Sequence, residues 1–193
     1  MAATIEYYDD LIDSFGDSES LTLLVVAGAS RDCVARALDV DLHEPVTHPW
    51  DDETESDFAA WALVEIDGGV LGVEYTGYGD PTADALRAMS RGGGAAAVVR
   101  SNLDAQLRFG CARDAAVVFD AHQLAAVEDP AAVPSELRPL FQLVHDDNDE
   151  ADAFVVGLAM AEVVTGLELT SQEALLLAGA QFFRGPSLLD PEV

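Results

Sequence analysis

The hydrophobic and polar positions along this chain change period several times, and each change marks an element. Leu21 to Ala27 (LTLLVVA) is an unbroken apolar run, short enough for a buried strand and bounded by Ser20 and Gly28. Phe58 to Ile66 and Val70 to Thr76 alternate as antiparallel strands do. Asp67-Gly68-Gly69 between them predicts a hairpin turn, because glycine reaches positive φ without a Cβ clash. On the second strand Leu71, Val73 and Tyr75 share one face, and Gly72, Glu74 and Thr76 share the other. Ala95 to Val99, Leu103 to Ala112 and Ala115 to Phe119 then predict a three-stranded meander. In its middle strand Leu103, Ala105, Leu107, Phe109 and Cys111 point inward, and Asp104, Gln106 and Arg108 point outward.

Helical spacing appears between and after these runs. Tyr8, Leu11, Ile12 and Phe15 make a short amphipathic helix that Gly16 ends, expected to cover one edge of the sheet. Ser30 reads as an N-cap with Asp32 in the first turn, and the helix continues through Val34, Ala35 and Leu38. Pro81 or Thr82 opens a helix whose stripe is Ala85, Leu86 and Met89, and Ser90 to Gly94 closes it. Those three glycines are not a phosphate loop, since they follow a helix, precede a strand and have no lysine after them.

Prolines 130, 134 and 139 punctuate a stretch with one short helix, Ser135 to Val144. The acidic run His145 to Glu150 lacks the glycine and terminal glutamate of a calcium loop and reads as a solvated helix start. Ala151 to Thr165 is a strong helix ended by Gly166, and Thr170 with Glu173 is a capping box opening a last helix through Ala180. Phe182, Phe183, Leu188 and Leu189 fall in a tail that either packs back or leaves an apolar patch. The sum is a single α+β domain over residues 1–193, with an N-terminal helical segment at 1–20, a sheet core at 21–120 and C-terminal helices at 134–180. Its expected architecture is a mainly antiparallel sheet of about six strands with helices on one face and a C-terminal helical segment.

Charge narrows the classes of function. Thirty-six acids stand against nine bases, all arginine, for a formal net charge of −27. Phosphate is anionic, so direct binding to nucleic acid or to an anionic membrane is not expected. The acidity fits solubility, high-salt adaptation, a basic protein partner, or mimicry of nucleic acid toward such a partner. Cys33 and Cys111 stand alone, outside any CxxC, as in a reducing compartment. No apolar run approaches the ~20 residues of a membrane span. The start MAATIEYYDD has no basic n-region, so a cytoplasmic location is expected.

Motif chemistry is sparse. The acidic connection 39–57 holds His43, Glu44, His48, Asp51 and Asp52, but its histidines straddle a proline and lack the spacing of a helical metal pair. Neither a metal site nor a cofactor is expected, and no residue is assigned a catalytic role. The polar cluster that a ligand or partner site would use is Trp61, Glu74, Tyr78, Arg100, Asn102 and Arg108. In that cluster a Glu74 carboxylate beside the Arg100 guanidinium would form an acid/base pair with an anion-holding arginine. The plainer expectation is a cross-strand salt bridge with Asn102 capping a turn.

The order WALVEIDGG-VLGVEYTGYGD, ALRAMSRGGGAAAVVRSNLDAQLRFGCARDAAVVFDA and LAMAEVVTGLELT resembles an uncharacterised, mainly actinobacterial family built on a domain of unknown function, over about residues 21–180. The resemblance rests on Trp61, Glu74, Gly77, Ser90, Gly92, Gly93, Asn102, Ala105, Phe109, Thr165, Gly166, Leu169 and Thr170. Ser101, Asp104, Tyr75 and Thr76 depart from it, which implies that any ligand site the family keeps at those positions is altered here. The resemblance implies fold and bacterial origin and carries no activity. The functional expectation is a non-enzymatic, acidic interaction module of immunity, antitoxin or regulatory type. A small-ligand protein or enzyme using Glu74, Arg100 and Asn102 is the first alternative, and a nucleic-acid mimic is the second.

Overall fold

The sheet grows outward from β1 (Leu21–Ala27), every residue of which is buried except the half-buried Ala27. Described by a computed structural model are residues 5–12, 20–47, 58–102, 106–145 and 152–187. On one side of β1 lies β4 (Gly69–Glu74), then β3 (Ala59–Ile66), the two joined by the Asp67-Gly68 turn with Gly68 at φ 86°. On its other side β5 (Ala95–Ser101), β6 (Leu107–Arg113) and β7 (Ala116–Ala121) form the expected meander. Beyond β3 come β8 (Phe182–Gly185) and the two-residue β2 (Pro45–Val46). The order is β2-β8-β3-β4-β1-β5-β6-β7, and every pairing is antiparallel.

The α+β class and the C-terminal helices are as the sequence predicts, and the sheet is wider, with eight strands. The additional strands are β2 and β8, both too short to show a period. Phe182 and Phe183 therefore pack back as a sheet strand.

Six α-helices are formed among the described residues, and they lie on both faces of the sheet, where one covered face was expected. On the first face α5 (Ala153–Thr165) crosses β5, β6 and β1, with α1 (Ile5–Ile12) and α4 (Arg138–Leu143) against it. Beside them α6 (Ser171–Ala178) covers β3 and β4. On the second face α2 (Arg31–Ala37) meets β3, and α3 (Ala83–Met89) meets β5, β6 and β7. The physical reason is legible in β1: consecutive apolar residues send Leu23 and Val25 one way and Leu24 and Val26 the other, so both faces need a cover.

Local chemistry ends these helices as expected. Ser30 and Thr82 cap α2 and α3 by accepting from Cys33 and Ala85 N–H groups. Gly166 at φ 72° closes α5, and Thr170 with Glu173 forms the capping box of α6. Helix α1 covers α5 and not a sheet edge, because its tyrosines find polar partners there. Tyr8 Oη donates to Glu162 at 2.8 Å, and Tyr7 Oη donates to the Leu169 carbonyl at 3.0 Å. Phe15, Gly16, His48, Trp50, Asp51, Asp52, Leu103, Asp104, Ala105, the run 146–150, Leu188 and Leu189 lie outside the described residues. Among the described residues no helix is long and apolar enough to cross a membrane.

Candidate functional site

Four strands deliver polar side chains to one end of the sheet, around the segment 75–82 that links β4 to α3. Glu74 is the last residue of β4, opposite Trp61 on β3 and Thr22 on β1. It is 0 % exposed. Its Oε1 accepts from the Thr76 N–H at 2.7 Å and the Ala60 N–H at 3.5 Å, and its Oε2 accepts from Gly77 and Gly79 N–H groups at 3.1 and 3.2 Å. The carboxylate thus gathers the amides of the turn, much as an anion fills a backbone nest. Burial pushes its pKa up, and the hydrogen bonds from Thr76, Gly79 and Ala60 pull it back down.

The carbonyls of the same turn are taken from the other side. Thr22 Oγ1 donates to Gly79 O at 3.1 Å, and Arg100 Nη2 donates to Gly77 O at 3.0 Å. A Cβ at Gly79 would stand 2.9 Å from both the Glu74 side chain and the Trp61 ring, so a residue without one is required there. The turn is consequently clasped through donors, acceptors and an aromatic wall at once.

Arg108 fastens the next residues. Its expected outward direction leads into the second buried face and not to water, and it is only 4 % exposed. Its Nε and Nη2 donate in a fork to the two oxygens of Asp120, each at 3.1 Å. Nη1 donates to Asp80 Oδ1 and, at 2.8 Å, to the Pro81 carbonyl. Two carboxylates and a carbonyl keep this guanidinium protonated against the cost of burial, and its pKa is raised. Arg100 also faces Asp80, at 4.0 Å.

The six residues singled out in the sequence therefore divide. Trp61, Glu74, Tyr78, Arg100 and Arg108 surround or belong to the 75–82 segment, whereas Asn102 closes the neighbouring β5–β6 turn. There Gln106 N–H donates to Asn102 Oδ1 at 2.9 Å. Glu74 and Arg100 are not on adjacent strands, since both register against Thr22 on the intervening β1. Glu74 takes part in none of the ion pairs among the described residues, so the expected cross-strand salt bridge is replaced by amide contacts. Reasoning from sequence missed Asp80, Asp120 and Thr22. A two-residue step from Arg108 to the bulged β7 brings Asp120 into place, and no local pattern announces it.

Outside this clasp lies an open cleft of about 310 Å³, bounded by Leu38 and Asp39 after α2, by Trp61, by Tyr78 to Thr82, and by Pro186 and Ser187 after β8. A second hollow of about 430 Å³ adjoins it through Asp39 and is lined by Asp32, Arg36, Asp41 and His43 among others. Among the described residues no three His, Cys, Asp or Glu side chains gather as a metal site.

A model described as a family of unknown function, DUF6461, matches residues 5–187. The chain belongs to that family. No curated protein and no solved structure matches it. The positions that carried the resemblance do structural work in this DUF6461 chain. Gly92 and Gly93 adopt φ 72° and 82° after α3, buried Ser90 accepts from the Ala115 N–H at 3.1 Å, and Thr165 Oγ1 donates back to Ala161 O at 2.8 Å. The departures are built in as well: Tyr75 packs on Phe182 with ring centroids 5.9 Å apart, and Thr76 Oγ1 donates to Phe58 O at 3.2 Å.

Proposed function

We propose that this protein is a non-enzymatic interaction module whose acidic surface binds a basic protein partner. What supports the reading is the disposition of the positive charge. Seven of the nine arginines have a partner within the chain: Arg87 and Arg113 in partly exposed ion pairs, Arg100 and Arg108 in the clasp, Arg138 on two carbonyls, and Arg31 and the exposed Arg184 over the Phe183 and Phe58 rings. Thirty-six acids stand against nine arginines, most of which already have a partner within the chain, and the formal net charge is −27. Such a field steers a basic partner and repels nucleic acid and anionic lipid.

The enzyme alternative draws less support, because the polar groups it would use are consumed in holding the chain. Glu74 is enclosed by amides, Arg100 is spent on Gly77 O, and Asn102 is spent on Gln106.

The test is affinity capture from native lysate at low and high salt, followed by binding of the purified candidate and competition with DNA. One basic protein, held at low salt and released at high salt, is the expected outcome. Competition by DNA would place the partner among nucleic-acid-binding proteins. Binding that does not weaken with salt would overturn the electrostatic reading.

A further inference from the structure

Resting on the reading of an acidic module with a basic partner, we propose that the cleft between the end of α2, Tyr78 and Pro186 is where that partner inserts an arginine side chain. The cleft and the adjoining hollow share Asp39, and the hollow adds the carboxylates of Asp32 and Asp41 against the single cation Arg36 on its walls, while Asp80, which also lines the cleft, is already paired with Arg108. Asp39 is exposed, follows the carbonyl end of α2 and stands where the two hollows meet. A helix C-terminus carries partial negative charge, so it adds to the same sign.

The interior of the cleft selects among cations. Tyr78 gives it an accessible aromatic wall, half-buried with its body packed on the apolar cluster of that face, whereas Trp61 is only 2 % exposed and supports the wall from within the core. A planar guanidinium is weakly hydrated, stacks on aromatic rings and forks onto carboxylates, whereas an ammonium is a compact, strongly hydrated charge. The fold already uses the same pairing internally: the Arg31 and Arg184 guanidinium carbons lie 4.9 and 4.6 Å from the Phe183 and Phe58 ring centroids. The rigidity of the 75–82 segment, clasped by Glu74, Thr22, Arg100 and Arg108, keeps this wall preformed, so little ordering cost accompanies insertion.

The test uses calorimetric titration of the full chain with hexaarginine and hexalysine peptides at low salt. The variants are Asp39→Asn, Tyr78→Leu and, as a charge control lining neither hollow, Glu128→Gln. Asp39 sits at φ 55°, a conformation that asparagine tolerates well, so Asp39→Asn keeps the turn and removes only the charge. The wild type should prefer hexaarginine. Asp39→Asn should weaken hexaarginine about tenfold while Glu128→Gln changes it less than about twofold, and Tyr78→Leu should erase the preference over hexalysine. Equal losses for Asp39→Asn and Glu128→Gln, with no discrimination between peptides, would overturn the cleft assignment while leaving the acidic-module reading intact. A wild type that binds neither peptide would overturn both.

Discussion

On one face of the sheet α5 lies over β5, β6 and β1 with Phe154, Val155, Val156, Leu158 and Met160 buried in an apolar cluster, and Arg113 of β6 donates to the Val163 and Val164 carbonyls at the helix end. On the other face α2 and α3 cover a smaller apolar cluster, and at its margin stand Glu74 and Arg108, both buried and both hydrogen-bonded. The first face is held by shape and the exclusion of water, so its tolerance is set by volume. The second is held in part by charge taken out of water, so its tolerance is set by whether each partner stays paired. A cleft opens beside the second kind of construction, where a polar framework keeps a loop standing that apolar packing alone would let collapse.

The largest effect that separates the two faces should come from Arg108→Ala. It strands Asp80 and Asp120 without their shared cation, and about 3–5 kcal/mol of stability should be lost in urea unfolding. A loss as small as that of a surface arginine would show that the second face does not depend on its buried ions. Next, Glu74→Gln should cost about 1–3 kcal/mol, since an amide group offers N–H where Gly77 or Gly79 already donates. The wild type carries a further pH term. Its Glu74 pKa is raised by burial above 4.5, so the folded state holds the proton more tightly than the unfolded chain. That contribution is present below the unfolded value and is lost as pH rises through the folded one. The gap between wild type and Glu74→Gln should therefore widen in favour of the wild type as urea midpoints are measured at falling pH; a gap independent of pH would refute a raised pKa.

On the dry face Gly157→Ala sharpens the contrast. A Cβ there would stand 2.6 Å from Val99 Cγ1, so α5 must lift from β5. Overpacking should cost about 1–2 kcal/mol net of alanine's better helix propensity, and the loss should not change with salt or pH. The smallest effect belongs to Arg87→Ala, which removes the same charge as Arg108→Ala from a side chain 46 % exposed and paired only with its helix neighbour Asp84. Less than about 0.5 kcal/mol is expected, within the error of a thermal melt.

Much of this frame was legible beforehand. Leu21–Ala27, the Asp67-Gly68 turn, the Ser30 cap, the helix opening after Pro81 and Thr82, Gly166 and the Thr170–Glu173 box fell where the pattern put them, because each is decided by neighbours in sequence. The second helical layer was implied by the unbroken run of β1 but not read from it. The clasp was half legible. Trp61, Glu74, Tyr78, Arg100 and Arg108 were marked by type and place, yet Arg108 was assigned to water because alternation reports only which face a side chain takes, not what covers that face. Asp120, twelve residues from Arg108, and Thr22, fifty-seven from Gly79, meet their partners through strand register, which no local period encodes. Strand β8 escaped for a similar reason: four residues carry too little alternation to declare themselves.

The position of β8 bears on the order of events as the chain is made. Strands β3, β4, β1, β5, β6 and β7 draw on residues 59–121 and 21–27 and can pair while the rest is still being synthesised. Until residues 182–185 emerge, Ala59 to Ala62 of β3 remain an open edge, apolar and ready to accept a strand from any source. Closing that edge joins segments more than a hundred residues apart, which makes it a late and slow step and the interval before it the chain's period of greatest exposure to misassembly.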